Sequence, residues 1–358
     1  MAAAIEDVGR GGVRLAPEIT DHGERIVSLR RVVEGVRSSR TREAYGPDDW
    51  VHMADTIDRT MRLAYLQSEF PTSYEVLGHR EDSRSFEDGK SYEIYGVRLA
   101  PEVARGADYP SNSPKDRSYT KTLKKFGWTW PLPWESWVRD QGDLRLLASW
   151  PRDWGLSARY SMEYRFTSLW AGNTTYFSAG NGNYVEGAGT ALSETSLKAA
   201  IAKVRSGQRD AAGNEVPYYG PLYLVVPPSL EFTARELVES PVYVGGSSKM
   251  PARNSMQGSA KVVLNPLLPI IDTTQGETAW YLWTDPNWDR PAVRYGFLLG
   301  SETPEIFVRE ADARSLLGGG SDVFRGALSN DSIEFKLRFT FGCDLWDVNG
   351  AYMSKGAA

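Results

Sequence analysis

The stretch from 151 to 172 constrains this chain more than any other. Trp154, Ala158, Met162, Phe166 and Trp170 recur at every fourth position, a stripe that drifts slowly round a helix of 3.6 residues per turn. Pro151 suits a first-turn position, where its missing N–H costs nothing. Gly172, with Asn173 after it, reads as the C-terminal stop. The spacing therefore predicts a helix over 151–171, a rod of about 30 Å at ~1.5 Å per residue. A rod with an apolar stripe must be covered by a sheet or by other helices. Two alternating stretches can supply that cover: residues 128–137, with Trp128, Trp130, Trp134 and Trp137, and residues 333–341 near the C-terminus. Met162 and Phe166 are then expected to be buried.

Composition narrows the class of protein. A chain of 358 residues, 41% hydrophobic and 24% charged, is an ordinary soluble globular chain of two or three compact domains or one multi-lobed body. Its net charge of −5 and interleaved charges argue against a sequence-independent nucleic-acid binder, which needs a clustered basic surface. One cysteine, Cys343, excludes an internal disulfide and a thiolate metal cage, and is expected to be a small buried apolar side chain. The N-terminal residues lack the hydrophobic segment of a secretory signal, and the longest apolar run, around 265–271, is interrupted by proline and too short to cross a bilayer. A cytosol-like compartment is expected.

Along the chain, residues 1–47 show no sustained period and read as an extended arm or as a tail ordered only by partners. Pro47-Asp48-Asp49 opens a helix predicted over 50–70, with Trp50, Met53, Ile57, Met61, Ala64 and Tyr65 on one face, Asp48 or Asp49 as cap and Pro71 as stop. Residues 85–99 alternate and carry Asp88-Gly89, a hairpin signal. Residues 100–120 are rich in Pro, Ser, Asp and Lys. A stretch with so few aliphatic residues cannot bury a core of its own. Strand patterns on both flanks suggest a two-stranded arm reaching away from the body. After the long helix come a glycine- and asparagine-rich loop, a short helix from Ser193 or Thr195 to Gly207, a buried strand over 222–226 and a helix from Pro228. That alternation is an α/β lobe. The remainder turns to strands, starting with a run that takes in NPLLPII (265–271) and ending in SIEFKLRFTFGCDL; the loop 315–322 separates the last two.

Little catalytic chemistry is on offer. His22, His52 and His79 have no metal-ligand spacing. No P-loop, GxGxxG or GxSxG motif occurs; the glycines at 180, 182, 187 and 189 fit none of them. The one enzymatic reading is glycoside hydrolysis, because Glu135, Asp140, Glu163, Asp285 and Asp289 sit among tryptophans of the kind that stack on sugar rings. The competing explanation is packing: WTWPLPWESW alternates as a strand laid against the long helix would.

The order of parts and several local sequences resemble the major capsid proteins of tailed phages of the Hong Kong 97 type, in the branch of the Mu-like head subunits. The residues that carry the likeness are KKFGWTWPLPWESWVRDQGDLRLLASWPRDWG (124–155), FSAGNGNYVEGAGTALSETSLKAAIAKVRSGQRDAAGNEVP (177–217), PLYLVVPPSLEFTARELVES (221–240), NPLLPIIDT (265–273) and the ending FGCDLWDVNGAYMSKGAA (341–358). The resemblance implies an α+β fold with an N-terminal arm and helix (1–73), an extended β-hairpin loop (74–127), a peripheral domain with the long spine helix (128–191), an α/β axial domain (192–324) and a return strand with the C-terminus (325–358).

The resemblance further implies a structural protein without cofactor or catalytic residues. It would self-assemble as pentamers and hexamers of an icosahedral shell, with a portal as a partner and a decoration protein as an optional one. The shell would enclose double-stranded DNA, touched without sequence preference, in a virion assembled in the host cytoplasm. With no room for a fused scaffold, a separate scaffold protein is expected. Lys115, Lys121 and Asn112 lie where relatives weld their shells, but nothing marks them and no cross-link is assigned. Charges along the loop, among them Arg84, Asp88, Lys90, Arg98, Arg105, Lys115, Asp116 and Arg117, are the candidate subunit-interface residues, matching a neighbouring copy by contacts of about 0 to 1 kcal/mol each. Deleting 103–119 is expected to leave capsomers or monomers. An encapsulin-type nanocompartment is the nearest alternative.

Overall fold

The computed structural model describes residues 6–8, 12–14, 18–19, 25–26, 47–66, 72–95, 102–106, 108–109, 115–133, 135–136, 145–207, 209, 213–215, 217–243, 252–309 and 330–357. Two short antiparallel pairs open the chain, β1 (Glu6–Val8) with β2 (Gly12–Arg14) and β3 (Glu18–Ile19) with β4 (Arg25–Ile26). The chain then divides into two compact units, one of residues 1–70, 125–160 and 301–340, the other of 71–124, 161–300 and 341–358.

In the first unit, α1 (Pro47–Leu66) buries Ile57, Met61 and Tyr65, as its periodicity predicts. Asp48 and Asp49 fall within its first turn rather than ahead of it as caps, because Pro47, whose φ is preset for a helix, starts the helix. The stop expected at Pro71 lies outside the described residues. The long helix α3 runs from Arg145 to Trp170 and crosses from one unit into the other. Pro151 is inside it, not at its start. An interior proline costs about 3 kcal/mol. The extra turn repays much of that by burying Trp150, whose ring lies 5.4 Å from Trp130, 4.7 Å from Trp154 and 4.9 Å from Phe335. Gly155 lets α3 close on α1, since a Cβ there would strike the Met61 carbonyl. Arg159 donates to the Tyr65 carbonyl at 3.1 Å and lies over the Tyr65 ring.

The sheet of this unit is formed by β8 (Lys124–Pro133), the Ser332–Thr340 part of β17 (Ser332–Leu345) and β16 (Glu305–Val308). Its inner face is Phe126, Trp130, Leu132, Phe335, Leu337 and Phe339. Trp128, expected in the covering layer, is 43% exposed. The strand kinks at Gly127, where φ is +156° and a Cβ would meet the Leu337 carbonyl, and this takes the next ring out of the inner face. Trp134 and Trp137 lie outside the described residues.

The second unit holds a five-stranded sheet in the order β13 (Lys261–Leu264), β10 (Tyr223–Val226), β14 (Trp280–Trp283), β18 (Ala351–Ser354), β9 (Tyr184–Val185). Alternation along β10 and β14 splits their side chains between two layers. Leu224, Val226, Trp280 and Leu282 pack with Leu197, Ala200 and Val204 of α4 (Glu194–Ser206) and with Ala234, Leu237 and Val238 of α5 (Glu231–Val238). Tyr281 and Trp283 lie against Trp170, at ring distances of 4.8 and 5.1 Å. Ser193 caps α4 and Gly207 ends it, as expected, with Ser196 closing a capping box.

Met162 and Phe166 are both 0% exposed, and every member of the four-residue stripe from Trp154 to Trp170 is buried. Gly172 follows α3 with φ +64°, the left-handed stop the sequence predicts. NPLLPII is not a strand: Leu268–Ile271 is a single helical turn, α6, because Asn265 turns its side-chain carbonyl onto the Leu267 N–H and the prolines withhold ladder donors.

Candidate assembly surface

Between α2 (Ser73–Leu77) and β8 the chain makes a two-stranded excursion, all within the second unit up to Lys124. Strand β6 (Gly89–Tyr95) pairs antiparallel with β7 (Lys115–Lys121), Gly89 opposite Lys121 and Tyr95 opposite Lys115. Among the described residues they form a sheet of two strands and no others. The two-stranded arm is therefore present, but Asp88-Gly89 lies at its root and is not its turn. A two-residue turn needs a strand on each side, and residues 84–87 preceding the pair are a bend.

Most of the arm's described side chains are exposed. Tyr92 is 63% exposed, and Tyr109 beyond it 87%. Arg84, Asp88, Lys90 and Arg105 are exposed, and the three cations make no hydrogen bond or ion pair among the described residues. In register, Arg117, Asp116 and Lys115 stand opposite Glu93, Ile94 and Tyr95. The side chains of Lys115, Asp116 and Arg117, like Arg98 altogether, lie outside the described residues. The candidate interface residues are thus strung along the arm and not gathered into one cluster.

The root is built differently. Glu81 precedes β6, and its N–H donates to the Tyr295 carbonyl at 2.7 Å, beside the short parallel pairing of β5 (His79–Arg80) with β15 (Val293–Gly296). The Arg294 guanidinium of β15 donates to Glu81 Oε2 at 2.6 Å and lies 3.3 Å from the Trp346 ring centre. Tyr119 of β7 stacks on Trp346 at 4.0 Å. Asp82 accepts from Arg80 at 2.8 Å and from the Phe297 N–H at 3.1 Å. Where β7 ends, the Thr122 N–H donates to Asp344 at 2.8 Å.

These contacts set the local electrostatics. Burial pushes the Glu81 carboxyl up, but the Arg294 hydrogen bond and the Lys121 and Arg294 charges outweigh it and hold the group below its ordinary range. Asp82 is likewise held low, burial being overcome by Arg80 and the Phe297 N–H. Asp344 goes the other way: burial, helped by the Asp88 charge, raises it against the Thr122 N–H and Lys124. Its neighbour Cys343 is half-buried, and burial first, then the Asp344 charge, push its thiol up to about 12, so it stays a neutral thiol.

The remaining candidates from the sequence are dispersed. Glu163 is buried and accepts from the Ser73 hydroxyl and, at 3.4 Å, from the Tyr74 N–H. Asp285 takes the Asn287 N–H at 2.8 Å, and Asp289 and Glu135 are exposed. Asp140 lies outside the described residues. Glu163 and Asp285 thus hold hydrogen bonds within the fold. His79 Nδ1 sits 2.9 Å from the Pro286 carbonyl, while His22 and the His52 side chain lie outside the described residues. No group of histidine, cysteine or carboxylate residues among the described residues is arranged to hold a metal ion. No helix among them is long and apolar enough to cross a membrane. The root residues Glu81, Arg294, Trp346 and Tyr119 carry no sequence motif.

An arm whose described side chains are mostly exposed has surface for other chains to cover, and the comparisons give the class, a structural shell protein rather than an enzyme. Residues 118–354 match the family model described as phage capsid protein, and the chain belongs to that family: it is a capsid shell subunit. Among solved structures it is similar to the capsid of cyanophage P-SCSP1u, with a TM-score of 0.51 and 13% identity over 80% of this chain and 88% of that one. It is also similar to the capsid of a native GTA particle, with a TM-score of 0.50 and 11% identity over 84% of this chain and 91% of that one. At such identities the likeness is one of fold. No curated protein matches the chain.

Proposed function

We propose that this subunit builds an icosahedral shell of the Hong Kong 97 type, as pentamers and hexamers, around a double-stranded DNA genome. In this reading residues 1–73 are an N-terminal arm and helix, 74–127 the extended loop, 128–191 the peripheral domain with α3 as spine, 192–324 the axial domain and 325–358 the return strand and C-terminus. A separate scaffold protein, a portal and a decoration protein are its expected partners, and assembly takes place in the host cytoplasm. The observation that supports the reading best is the arm. Its two strands pair with each other alone, and its exposed cations Arg84, Lys90 and Arg105 stand without partners among the described residues. Between Arg84 and Lys125 nine lysines and arginines face six aspartates and glutamates, in a chain whose net charge is −5. A locally basic arm on an acidic chain has its complement on another copy. Single exposed pairs are worth about 0 to 1 kcal/mol. Summed over a closed shell, such weak contacts allow errors to be corrected.

Electron microscopy of the expressed chain, with and without its neighbouring gene products, tests this. Icosahedral shells that protect DNA from nuclease are expected. Small closed shells filled with protein would instead indicate a nanocompartment. A chain lacking 103–119 is expected to stop at capsomers or monomers, and normal shells from it would refute the role given to the arm.

A further inference from the structure

We propose that Glu81 is the positioning residue that fixes the direction of the arm, one carboxylate joining both arm strands to the body. Three ties converge on it. Its Oε1 accepts from the Ser91 hydroxyl of β6 at 3.2 Å. Lys121, the last residue of β7, donates to the Glu81 backbone carbonyl and pairs with the same Oε1 at 3.7 Å. Its Oε2 takes Arg294 of β15 at 2.6 Å. The strands of the arm are thus gripped where they are closest to the body. The ties act at the residues where the strands meet in register, since Gly89 faces Lys121 and Ser91 faces Tyr119.

The body side of the joint is stiff. Arg294 is held by Glu81 on one side and by the Trp346 ring on the other contact, and Trp346 is in turn stacked by Tyr119 of the arm. The circuit Glu81–Arg294–Trp346–Tyr119 therefore leaves the body and returns to the arm. Closing such a circuit removes the swing that a bare two-stranded ribbon, with a few hydrogen bonds at one end, retains. A lever without a core can point in one direction only if its hinge is over-determined, and Glu81 is the atom group shared by the most ties in this hinge. Next to these ties the side chains of Lys90 and Tyr92 are exposed. A small rotation at Glu81 is magnified along the arm, so the same carboxylate governs where the arm's charges meet a second copy. This consequence for shells rests on the shell reading given above; the fixing of the arm does not.

The experiment uses the full chain. Glu81→Gln keeps the shape and removes the charge; Glu81→Asp keeps the charge. Hydrogen exchange of the unassembled subunit is read at residues 89–95 and 115–121, with β10 and β14 as internal reference. Glu81→Gln is expected to speed exchange in the arm at least tenfold, to leave exchange in the reference strands unchanged, and to broaden the diameters of assembled particles. Glu81→Asp is expected to recover part of the protection. Should Glu81→Gln not fold, Ser91→Ala and Lys121→Met each remove one tie and are read in the same way, with smaller increases expected. Arm exchange within twofold of wild type in these variants overturns the proposal. If the wild-type chain forms no particles, the shell reading fails while the exchange measurement still decides the role of Glu81.

Discussion

Gly296 and Gly342 are partners across the antiparallel ladder of β15 and β17, and the two ends of the arm pass directly over them. A Cβ on Gly296 would run into the Glu81 carbonyl, and one on Gly342 into the Thr122 carbonyl, both immovable backbone. The arm leaves and rejoins the body over a floor with no side chains. Gly296→Ala and Gly342→Ala are therefore expected to cost about 1–3 kcal/mol each, the range for forcing volume into a filled site. Gly89→Ala, where an added Cβ meets nothing within 4 Å, is the control and should stay within about 0.5 kcal/mol of wild type. Urea unfolding of the three variants checks the contrast; equal losses in all would show that the floor is not what matters.

The stripe on α3 makes a second prediction. Met162 and Phe166 are completely buried, and Phe166 lies 6.4 Å ring to ring from each of Tyr74, Trp170 and Trp283. Truncation to alanine should cost about 2–5 kcal/mol at Met162 and about 3–5 at Phe166. Tyr164→Ala, on the exposed side of the same helix, should cost far less. Denaturant midpoints of the three, at unchanged slope, are the measurement.

A buried ion pair offers a third. Arg290 and Asp347, each 3% exposed, meet at 3.0 Å, and Asp347 also accepts the Asn349 N–H and side-chain amide. Removing one partner strands the other charge away from water, which costs about 3–5 kcal/mol. Asp347→Ala is expected to lower stability by that order. Replacing both, Arg290→Met with Asp347→Leu, should be milder than the sum of the singles, and a double-mutant cycle gives the coupling.

Acid should loosen the arm. Glu81 and Asp82 are held below their ordinary values of 4.5 and 3.8, so their contribution is complete above those values and is lost as pH falls through the lower, folded ones. Asp344, raised from 3.8, has the opposite sign: its charged form is disfavoured in the fold, so stability falls as pH rises through its range. Arg80, Arg294, Lys121, Lys124 and Asp88 are the charged groups that face them. Stability is expected to be flat from pH 7 to about 5 and to fall below about 4.5, with a smaller fall in Glu81→Gln and a larger one in Asp344→Asn. Urea unfolding across that range reads all three curves.

Much of this molecule was written locally. The four-residue stripe of α3, the Ser193 cap and Gly207 stop of α4, and the buried strand before Pro228 depend on neighbours along the chain, and each is found in the structure. Two of the misreadings share one cause. Pro151 looked like a helix start and Asp88-Gly89 like a turn because local preference favours both, at about 3 kcal/mol or less. Contacts from far along the chain outweighed it: Phe335 and Trp130 hold Trp150 in one case, and in the other β7 takes the place of a strand before Asp88.

The sequence by itself determined most of the long helices, the buried strand before Pro228 and a charged two-stranded arm, because periodicity, caps and composition act over a few residues. Only the tertiary structure decided how that arm is held. Glu81, Tyr119, Arg294 and Trp346 are far apart in sequence and ordinary in type, and no spacing rule links them. They become one joint when β5, β15 and β17 lie side by side over the glycine pair. Burial then fixes their charges and rings in place.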